Sequence, residues 1–238
     1  MELLYEGKAK KLYRTNCPDE VLMEFKYDAT AFNGKKKTQF QNKGAINKQL
    51  TCLLYRMLEE RGIPSHFVRD VDEIRIIVRR VEIIPVEVVV RNWVAGSLAG
   101  RIGRPEGTPL SAPMVEFYYK KDELNDPLIT TEHLRELNLA TDGEVSVIRD
   151  MAMRINGFLG EFFEKVGIRL VDFKVEFGRL HSDRSRIILA DEITPDTCRL
   201  WDIRTGRKLD KDRFRRDLGE VMESYSDVLG RVSHALSV

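Results

Sequence analysis

Eight consecutive residues, VDFKVEFG at positions 171–178, alternate between apolar and charged side chains and end in a glycine. Successive side chains of a β-strand point to opposite faces. The pattern therefore predicts a strand with one apolar face and a second face formed by Asp172, Lys174 and Glu176. The apolar face must pack against another layer of structure. The charged face is either a solvated outer surface or the floor of a metal or catalytic site.

The residues that follow predict a hairpin. A polar run, RLHSDRS, precedes a second apolar run, RIILADEI, which is typical of an antiparallel partner strand. Because this run ends in Asp191 and Glu192, pairing would bring Asp191 beside Glu176. Two neighbouring carboxylates repel each other unless a proton or a cation lies between them. The pair therefore predicts a Mg²⁺ site that also binds the phosphates of a nucleoside triphosphate.

The first half of the chain predicts an antiparallel meander with a helix packed on it. ELLYEG, KAKKLYRT and VLMEFKYDAT are strand-like runs separated by turn residues. Residues 44–61 then place apolar side chains at helical spacing and stop before Gly62 and Pro64. Two further strand runs, EIRIIVRRVEII and VEVVVRNW, meet at Pro85. This break predicts a small N-terminal lobe, residues 1–84, joined to a larger lobe, residues 85–238.

The second half mixes helices with the hairpin and completes an α+β pattern. GSLAGRIG predicts a short helix, and RPEGTPLSAP predicts a loop of the kind that often borders a site. Apolar residues at helical spacing predict a helix from about residue 146 to residue 166. Apolar residues also recur at helical spacing over residues 210–236. This stretch predicts one long amphipathic helix with Leu218 among its core-facing residues.

Charge and cysteine content limit the possible partners. The chain of 238 residues has 39 Lys and Arg against 38 Asp and Glu, a net charge of +1, which gives no electrostatic reason to expect a nucleic-acid or membrane partner. Its three cysteines match no zinc or CxxC spacing and indicate a reducing compartment. No segment is typical of a signal peptide or a membrane span. We therefore expect a cytoplasmic protein.

A hairpin near the N-terminus is the candidate for binding the phosphates. The chain has no Walker A sequence and no GxGxxG after a strand. YEGKAKKLY instead predicts two strands around Gly7, with Lys8 and Lys10 on one face. Glycine allows close backbone approach to a phosphate and the ammonium groups supply positive charge. Two solvated lysines on an exposed hairpin are the alternative interpretation.

Two arginines are candidates for binding a second anion. VVVRNWVAGS places Arg91 at the end of an apolar strand and Ser97 at the start of a short helix, an arrangement suited to a phosphate monoester. DEITPDTCRLWD adds Asp196 and Arg199 directly after the hairpin, and neither arginine has an obvious local partner. Each arginine alone is more often part of a structural ion pair. Together with Asp126, in the loop YYKKDELNDPLIT, they suggest one polar cleft.

Seven strings occur in an order and spacing that resemble the SAICAR synthetase family, ligases of purine biosynthesis. They cover essentially the whole chain: YEGKAKKLY, DATAFNG, PVEVVVRN with AGS, NDP, LVDFKVEFG, LADEITPDTCRLWD and LDKDRFR. The resemblance implies a two-lobed α+β fold with the nucleotide in a cleft between the lobes. It implies the use of ATP and Mg²⁺ to join L-aspartate to the carboxylate of CAIR, carboxyaminoimidazole ribonucleotide, through an acyl phosphate. It also implies a homodimer.

The resemblance also implies roles for individual residues. The N-terminal lobe covers ATP with Lys8, Ala9 and Lys10, and Glu82 and Ile83 lie near the adenine base. Asp172, Lys174 and Asp191 are the expected catalytic residues, and Glu176 and Asp191 the expected metal ligands. The expected substrate contacts are made by Arg91, Ser97, Asp126, Asp196 and Arg199.

Two other functions compete with this interpretation. A small-molecule kinase would use the same nucleotide-binding residues, but the chain has neither an HRD-type base motif nor a DFG motif. A nucleic-acid binder is suggested by GKKKTQFQNKG, although lysine runs usually mark solvated loops and the balanced charge argues against it.

Overall fold

The computed structural model describes residues 1–31 and 34–237, so the string DATAFNG lies partly outside the described residues. The elements of the N-terminal part are β1 (Leu3–Glu6), β2 (Lys10–Arg14), β3 (Glu20–Phe25), β4 (Asp28–Ala31), β5 (Lys36–Gln39), α1 (Lys43–Glu60), β6 (Phe67–Asp70) and β7 (Arg75–Arg79). Five of these strands form an antiparallel sheet in the order β1-β2-β3-β7-β6, while β4 pairs with β5. The predicted meander is confirmed.

Helix α1 lies against this sheet, as predicted. Its apolar residues Leu50, Leu54 and Leu58 are each no more than 1% exposed, and the helix contacts β3 and β6. It ends at Glu60, two residues before Gly62, whose φ of 73° is in the left-handed region that favours glycine. The helix also contacts the last helix of the chain. It therefore connects the first sheet to the rest of the molecule.

A seven-stranded antiparallel sheet is built around one long strand. Its strands are β8 (Val81–Ile83), β9 (Val86–Trp93), β10 (Pro109–Tyr119), β11 (Leu128–Ile129), β12 (Ile168–Leu180), β13 (Asp183–Ala190) and β14 (Cys198–Asp202). The first half of β12 lies between β9 and β14, and its second half lies between β13 and β8. Asp172 and Arg179 therefore have a neighbouring strand on both sides, whereas the register pairs Lys174 only with β9 and Glu176 only with β13.

Five further helices surround this sheet: α2 (Ser97–Ile102), α3 (Thr131–Glu136), α4 (Asp142–Lys165), α5 (Asp212–Arg215) and α6 (Val221–Leu236). Helix α4 packs on β12. It begins four residues before the apolar pattern, because Thr141 and Glu144 form a capping box that extends its first turn. None of the helices in the described part of the chain is long and apolar enough to span a membrane.

The alternation that predicted β12 is present in the structure. Val171, Phe173, Val175 and Phe177 are each at most 1% exposed and face apolar neighbours. The charged face is not a solvated surface either, since Asp172 is 3% exposed and Glu176 is 5% exposed. Charges at this depth require partners. The interpretation as a solvated surface is therefore wrong, and the metal or catalytic site stays a prediction.

The prediction of one continuous C-terminal helix is wrong. The chain forms α5, then breaks, then forms α6, and three residues in the break have positive φ: Asp217 at 54°, Gly219 at 70° and Glu220 at 48°. Right-handed helix cannot pass through such residues. Leu218, predicted to face the core, is 46% exposed because it lies in this break.

Three predicted boundaries also shift. The loop RPEGTPLSAP becomes strand β10 from Pro109 onward, since it pairs with β9. The polar turn of the hairpin narrows to residues 181–182. The run EIRIIVRRVEII divides at Arg80, and its second half joins the larger sheet as β8. The chain thus passes from one sheet to the other five residues before Pro85, and the division into lobes at residue 84 stays a prediction.

Candidate active site

Two clusters of charged side chains lie along the polar face of β12. The carboxylate cluster comprises Lys10, Glu87, Lys120, Lys174, Glu176, Asp191 and Glu192. The arginine cluster comprises Arg91, Ser97, Arg101, Glu116, Tyr118, Asp172, Arg199 and Asp212. Asp172 and Glu176 are four residues apart, so their Cα atoms are separated by about 13 Å along the strand. One strand therefore positions both clusters.

The carboxylate cluster forms where β12 and β13 pair. Glu176 lies opposite Ala190 in the register, which brings the next residue, Asp191, to the same end of the hairpin. Lys10, from β2, contacts Asp191 and lies 2.9 Å from Oε1 of Glu192. The sequence predicted the proximity of Glu176 and Asp191.

Two more lysines complete this cluster. Nζ of Lys120 lies 2.5 Å from Oε2 of Glu176. Nζ of Lys174 lies 2.8 Å from Oε1 of Glu87 and 3.8 Å from Oε1 of Glu176. Sequence reasoning missed Glu87 and Lys120. Both come from strands β9 and β10 or directly after them, and the register between distant strands could not be inferred from the sequence.

The pKa values of the two predicted metal ligands, Glu176 and Asp191, shift in opposite directions. Burial and the charge of Asp191 raise the pKa of Glu176 above its usual range. Burial also opposes ionisation of Asp191, but Lys10 and Lys174 outweigh it and lower the pKa of that carboxyl to about 2. Asp191 is therefore ionised at neutral pH, and Glu176 is the carboxyl that most needs a cation.

The donor chemistry of this pair suits Mg²⁺ that arrives with phosphates. Mg²⁺ is commonly bound by one or two carboxylates together with phosphate oxygens and water. No group of three or more His, Cys, Asp or Glu side chains in the described residues is arranged to hold a metal ion by itself. Glu176 and Asp191 are thus a fitting partial site, which a nucleotide would complete.

The N-terminal hairpin directs its two lysines to different partners. Gly7 closes the turn by donating from N to O of Lys10 at 2.8 Å. Lys10 is turned inward to the carboxylate cluster, whereas Lys8 is exposed and lies 2.7 Å from Asp122. O of Ala9, between them, accepts a hydrogen bond from N of Lys26 at 2.8 Å. The hairpin is therefore held at the edge of the cluster from both sides.

Glu82 and Ile83 lie on β8, beside the end of β12 that carries Glu176. Both side chains are exposed, and Glu82 contacts Arg184. Strand β8 approaches β12 closely at Gly178, where a Cβ atom would come within 2.7 Å of Cβ of Val81. Glycine at position 178 is therefore needed for this pairing.

The arginine cluster follows from the register of three adjacent strands. Asp172 lies directly opposite Arg91 on one side and Arg199 on the other. Its Oδ2 accepts hydrogen bonds from Nη1 of Arg91 at 2.8 Å and from Nη1 of Arg199 at 2.9 Å. Both arginines therefore form an ion pair, the alternative interpretation of each, and their partner is distant in sequence because it comes from a neighbouring strand.

Further contacts fix the orientation of Arg91. Nε donates to Glu116 at 2.6 Å, and Nη2 lies 3.0 Å from the hydroxyl of Tyr118 and 3.4 Å from Oγ of Ser97. Arg101, from α2, binds the same glutamate and tyrosine. Arg91 and Ser97, predicted to act together, are thus neighbours.

Arg199 is fixed from two other directions. Nε donates to Asp212 at 3.0 Å. The guanidinium lies over Gly96, whose φ is 53° and where any Cβ atom would collide with it. The string LDKDRFR, which contains Asp212, was the only sequence signal for this contact.

The remaining two predicted substrate contacts lie elsewhere. Asp126 is in the loop between β10 and β11, where its Oδ1 accepts from N of Lys121 at 2.8 Å. Asp196 is buried and contacts Lys43, accepts from Nδ2 of Asn47 at 2.9 Å and accepts from the hydroxyl of Tyr225 at 2.8 Å. The structure therefore places Asp196 between α1 and α6.

Comparison with known proteins gives one consistent result. The family model described as SAICAR synthetase matches residues 3–232. Curated proteins named phosphoribosylaminoimidazole-succinocarboxamide synthase are similar over nearly their full length. The protein from Akkermansia muciniphila is 56% identical over 98% of this chain and 99% of its own, and that from Lysinibacillus sphaericus is 57% identical over 97% of each.

Solved structures agree with the sequence relatives. The crystal structure of phosphoribosylaminoimidazole-succinocarboxamide synthase from Ehrlichia chaffeensis superposes with a TM-score of 0.96 at 45% identity, covering 98% of each chain. A structure described as SAICAR synthetase (Type-2) in complex with ADP superposes with a TM-score of 0.93 at 48% identity, again covering 98% of each chain.

Proposed function

The chain belongs to the SAICAR synthetase family, and on that premise we propose that it joins the amine of L-aspartate to the carboxylate of CAIR at the expense of ATP. The products are SAICAR, ADP and phosphate, in de novo purine biosynthesis. The observation that carries this proposal is the placement of two charged clusters along one strand, β12, because the reaction brings a nucleoside triphosphate to a second phosphate-bearing substrate.

The chemistry explains why ATP is required. A carboxylate resists attack by an amine because it is already anionic and its oxygen is a poor leaving group. One carboxylate oxygen of CAIR attacks the γ-phosphorus of ATP, the bond to the ADP oxygen breaks, and an acyl phosphate forms. The amine of aspartate then attacks the acyl carbon, phosphate leaves with the carboxylate oxygen, and the nitrogen loses a proton.

The carboxylate cluster and the N-terminal hairpin form the nucleotide side of the site. Lys8, Ala9 and Lys10 cover the phosphates, and Lys10 is already held beside Asp191 by its ion pair. Glu82 and Ile83, exposed on β8, lie near the adenine base. The relative described in complex with ADP supports ATP as the co-substrate.

Glu176 and Asp191 are the residues that hold Mg²⁺. When bound, the ion supplies positive charge that offsets the charge of the phosphate oxygens. The chain itself keeps both carboxylates near each other by surrounding them with lysines. Lys174 belongs to the carboxylate cluster and lies between Asp172 and Glu176 in the chain, on the same face of β12. It lowers the repulsion between the CAIR carboxylate and the triphosphate.

The arginine cluster forms the ribonucleotide side. Arg91, Ser97 and Arg199 bind the phosphate of CAIR, and their fixed orientation suits planar recognition of a phosphate. Asp172, expected beside the reacting carboxylate, contacts both arginines. These contacts favour a role in orienting them. Asp126 and Asp196 remain the candidates for the imidazole amino group and aspartate.

The arrangement of the whole molecule extends the proposal. Residues 1–84 cover ATP, residues 85–238 carry the metal and CAIR sites, and the cleft lies between them. The protein is a cytoplasmic homodimer with no nucleic-acid partner. Light scattering on a sizing column checks the dimer, since a single species of about 27.5 kDa would exclude it.

Phosphate release tests the reaction class. The ligase releases one phosphate for each amide formed, and only when ATP, CAIR and L-aspartate are all present. Omitting each substrate in turn is the control. Stable phosphorylation of CAIR in the absence of aspartate would instead identify a kinase.

A further inference from the structure

Asp191 has an unusual backbone for a residue that must aim a carboxylate. It follows directly after the last residue of β13, and its φ is 68°, in the left-handed region that side chains other than glycine rarely adopt. Aspartate tolerates this region better than most residues do, but the conformation persists only when surrounding contacts hold it. The direction of the carboxylate depends on those contacts.

The peptide group that precedes Asp191 is held by a buried tyrosine. Tyr55, on α1, is fully buried, and its hydroxyl donates to O of Ala190 at 2.8 Å. This carbonyl belongs to the peptide plane that joins Ala190 to Asp191. Fixing the plane therefore fixes the direction of the N–Cα bond of Asp191, from which its side chain projects. Burial, together with the nearby carboxylates, raises the pKa of Tyr55 well above its usual value, so the hydroxyl stays a donor.

The segment next to Tyr55 supports the same stretch of chain. N of His66 donates to O of Leu189 at 2.8 Å, and N of Leu189 donates to O of Pro64 at 2.9 Å. The imidazole of His66 stacks edge-on against Tyr55, with ring centroids 5.6 Å apart. The two residues before Asp191, Leu189 and Ala190, are thus held by groups that lie before β7 in the chain.

Tyr55 is also the last member of a buried polar stripe on α1, formed by Lys43, Asn47, Thr51 and Tyr55. The spacing of four residues places these side chains on one face of the helix. The stripe holds the segment after β13 at both ends: Tyr55 binds Ala190, whereas Lys43 and Asn47 bind Asp196. Buried polar groups are costly unless they are hydrogen-bonded, and Lys43, Asn47 and Tyr55 each donate a hydrogen bond to this segment.

From these contacts we infer that Tyr55, with His66 beside it, is a positioning residue for Asp191. Neither side chain touches a substrate. They act by holding the peptide plane before Asp191, so that its carboxylate faces Glu176 and the nucleotide. The inference rests on the proposed role of Asp191 in holding the metal.

Binding of Mn²⁺ with ADP tests this inference without turnover. The probe is Mn²⁺ in the presence of saturating ADP, with free Mn²⁺ measured by electron paramagnetic resonance. Tyr55→Phe keeps the ring and removes only the hydroxyl. We expect it to weaken Mn²⁺ binding roughly 10- to 100-fold, the range for residues that orient a metal ligand. Ser224→Ala is the control, because it removes a buried hydroxyl whose partners are Glu220 and Arg207.

A double variant separates positioning from general destabilisation. In the Asp191→Asn background, Tyr55→Phe is expected to cause no further loss of Mn²⁺ affinity, because the carboxylate it positions is gone. Parent-like affinity in Tyr55→Phe, or the full loss again in the double variant, would overturn the inference. Unchanged Mn²⁺ binding in Asp191→Asn alone would instead refute the metal assignment.

His66→Leu provides an independent variant if Tyr55→Phe does not fold. Leucine preserves bulk beside Tyr55 and removes the edge-on ring contact that supports the tyrosine. Like Tyr55→Phe, His66→Leu is expected to weaken Mn²⁺ binding. Parent-like binding in a folded His66→Leu protein would show that Asp191 is held without it, against the inference.

Discussion

Asp191 combines three properties that are rarely found in one residue: a side chain only 13% exposed, a positive φ and an ionised carboxyl. Lys10 and Lys174 keep it ionised in spite of burial. Because asparagine also tolerates positive φ, Asp191→Asn removes the charge with little disturbance of the backbone. This substitution therefore tests the charge of the carboxylate cluster separately from its backbone structure.

Asp191→Asn is expected to lose most of its turnover at ordinary Mg²⁺ concentrations while unfolding near the parent temperature. Steady-state kinetics and calorimetry measure the two effects. Asp183→Asn is the matched control, because Asp183 is an exposed residue at the start of β13 that accepts hydrogen bonds from Ser185. Activity near the parent level in Asp191→Asn would contradict the metal assignment.

Arg199→Met should weaken the binding of CAIR by about 2–5 kcal/mol, the cost of truncating one partner of a buried charge pair. ATP affinity should stay the same, since the carboxylate cluster is intact. Titration of each ligand separately measures this. Arg231→Met, which breaks ion pairs with Asp202 and Asp227, is the control. An equal loss of ATP binding would move Arg199 to the nucleotide subsite.

A shift of strand β8 would move Glu82 and Ile83, the residues proposed to lie near the adenine base. Gly178→Ala would place a Cβ atom against Val81, so β8 must shift, at a cost of about 1–3 kcal/mol in the free energy of unfolding. We expect weaker ATP binding with unchanged CAIR binding, because Glu82 and Ile83 move with the strand.

The matched change is Gly160→Ala on α4, where no atom lies within 4 Å of the added Cβ. It should leave ATP binding unchanged and raise stability by about 0.5–1 kcal/mol. Denaturant unfolding and nucleotide titration compare the two variants. Equal ATP affinity in both would show that β8 does not contribute to the nucleotide site.

The ion pair between Glu144, at the start of α4, and Arg179 predicts that the free energy of unfolding depends on pH. The hydrogen bond from Arg179 lowers the pKa of Glu144 from its ordinary value of 4.5 to about 2. A carboxyl with a lowered folded-state pKa stabilises the fold above pH 4.5 and loses that contribution as the pH falls toward 2. The pair is about one-fifth exposed, so the contribution is about 0.5–1 kcal/mol.

Glu144→Gln should therefore lose this stability at neutral pH and unfold with a shallower pH dependence between pH 4.5 and 2. Urea unfolding at several pH values measures the slope. Glu161→Gln, on the same helix, is the comparison. A variant whose slope equals that of the parent would show that the ion pair with Arg179 contributes nothing.

Local patterns predicted most of the elements, but not how they meet. The alternation of β12, the helical spacing of α1 and the apolar run of β13 are properties of short windows, and all three elements are present. The break before α6 was missed because only one of its three positive-φ residues is a glycine. Backbone conformations of this kind depend on tertiary contacts as well as on residue type.

The candidate site shows the same division. The proximity of Glu176 and Asp191 follows from one hairpin and could be predicted. The pairing of Asp172 with Arg91 and Arg199 depends on the register of strands about 80 and 27 residues apart, which no local pattern specifies. The contact between Asp196 and Lys43 depends on the packing of α1, so it could not be predicted from the sequence either.

The fate of one oxygen atom tests the proposed reaction most directly. CAIR labelled with ¹⁸O in its carboxylate is converted with ATP and L-aspartate, and the released phosphate and the amide product are analysed by mass spectrometry. The account predicts one ¹⁸O in each phosphate, aspartate joined to CAIR with loss of one water in total, and no phosphate release without aspartate. Phosphate that carries no ¹⁸O would contradict an acyl phosphate, because the carboxylate oxygen would then never have bonded to phosphorus.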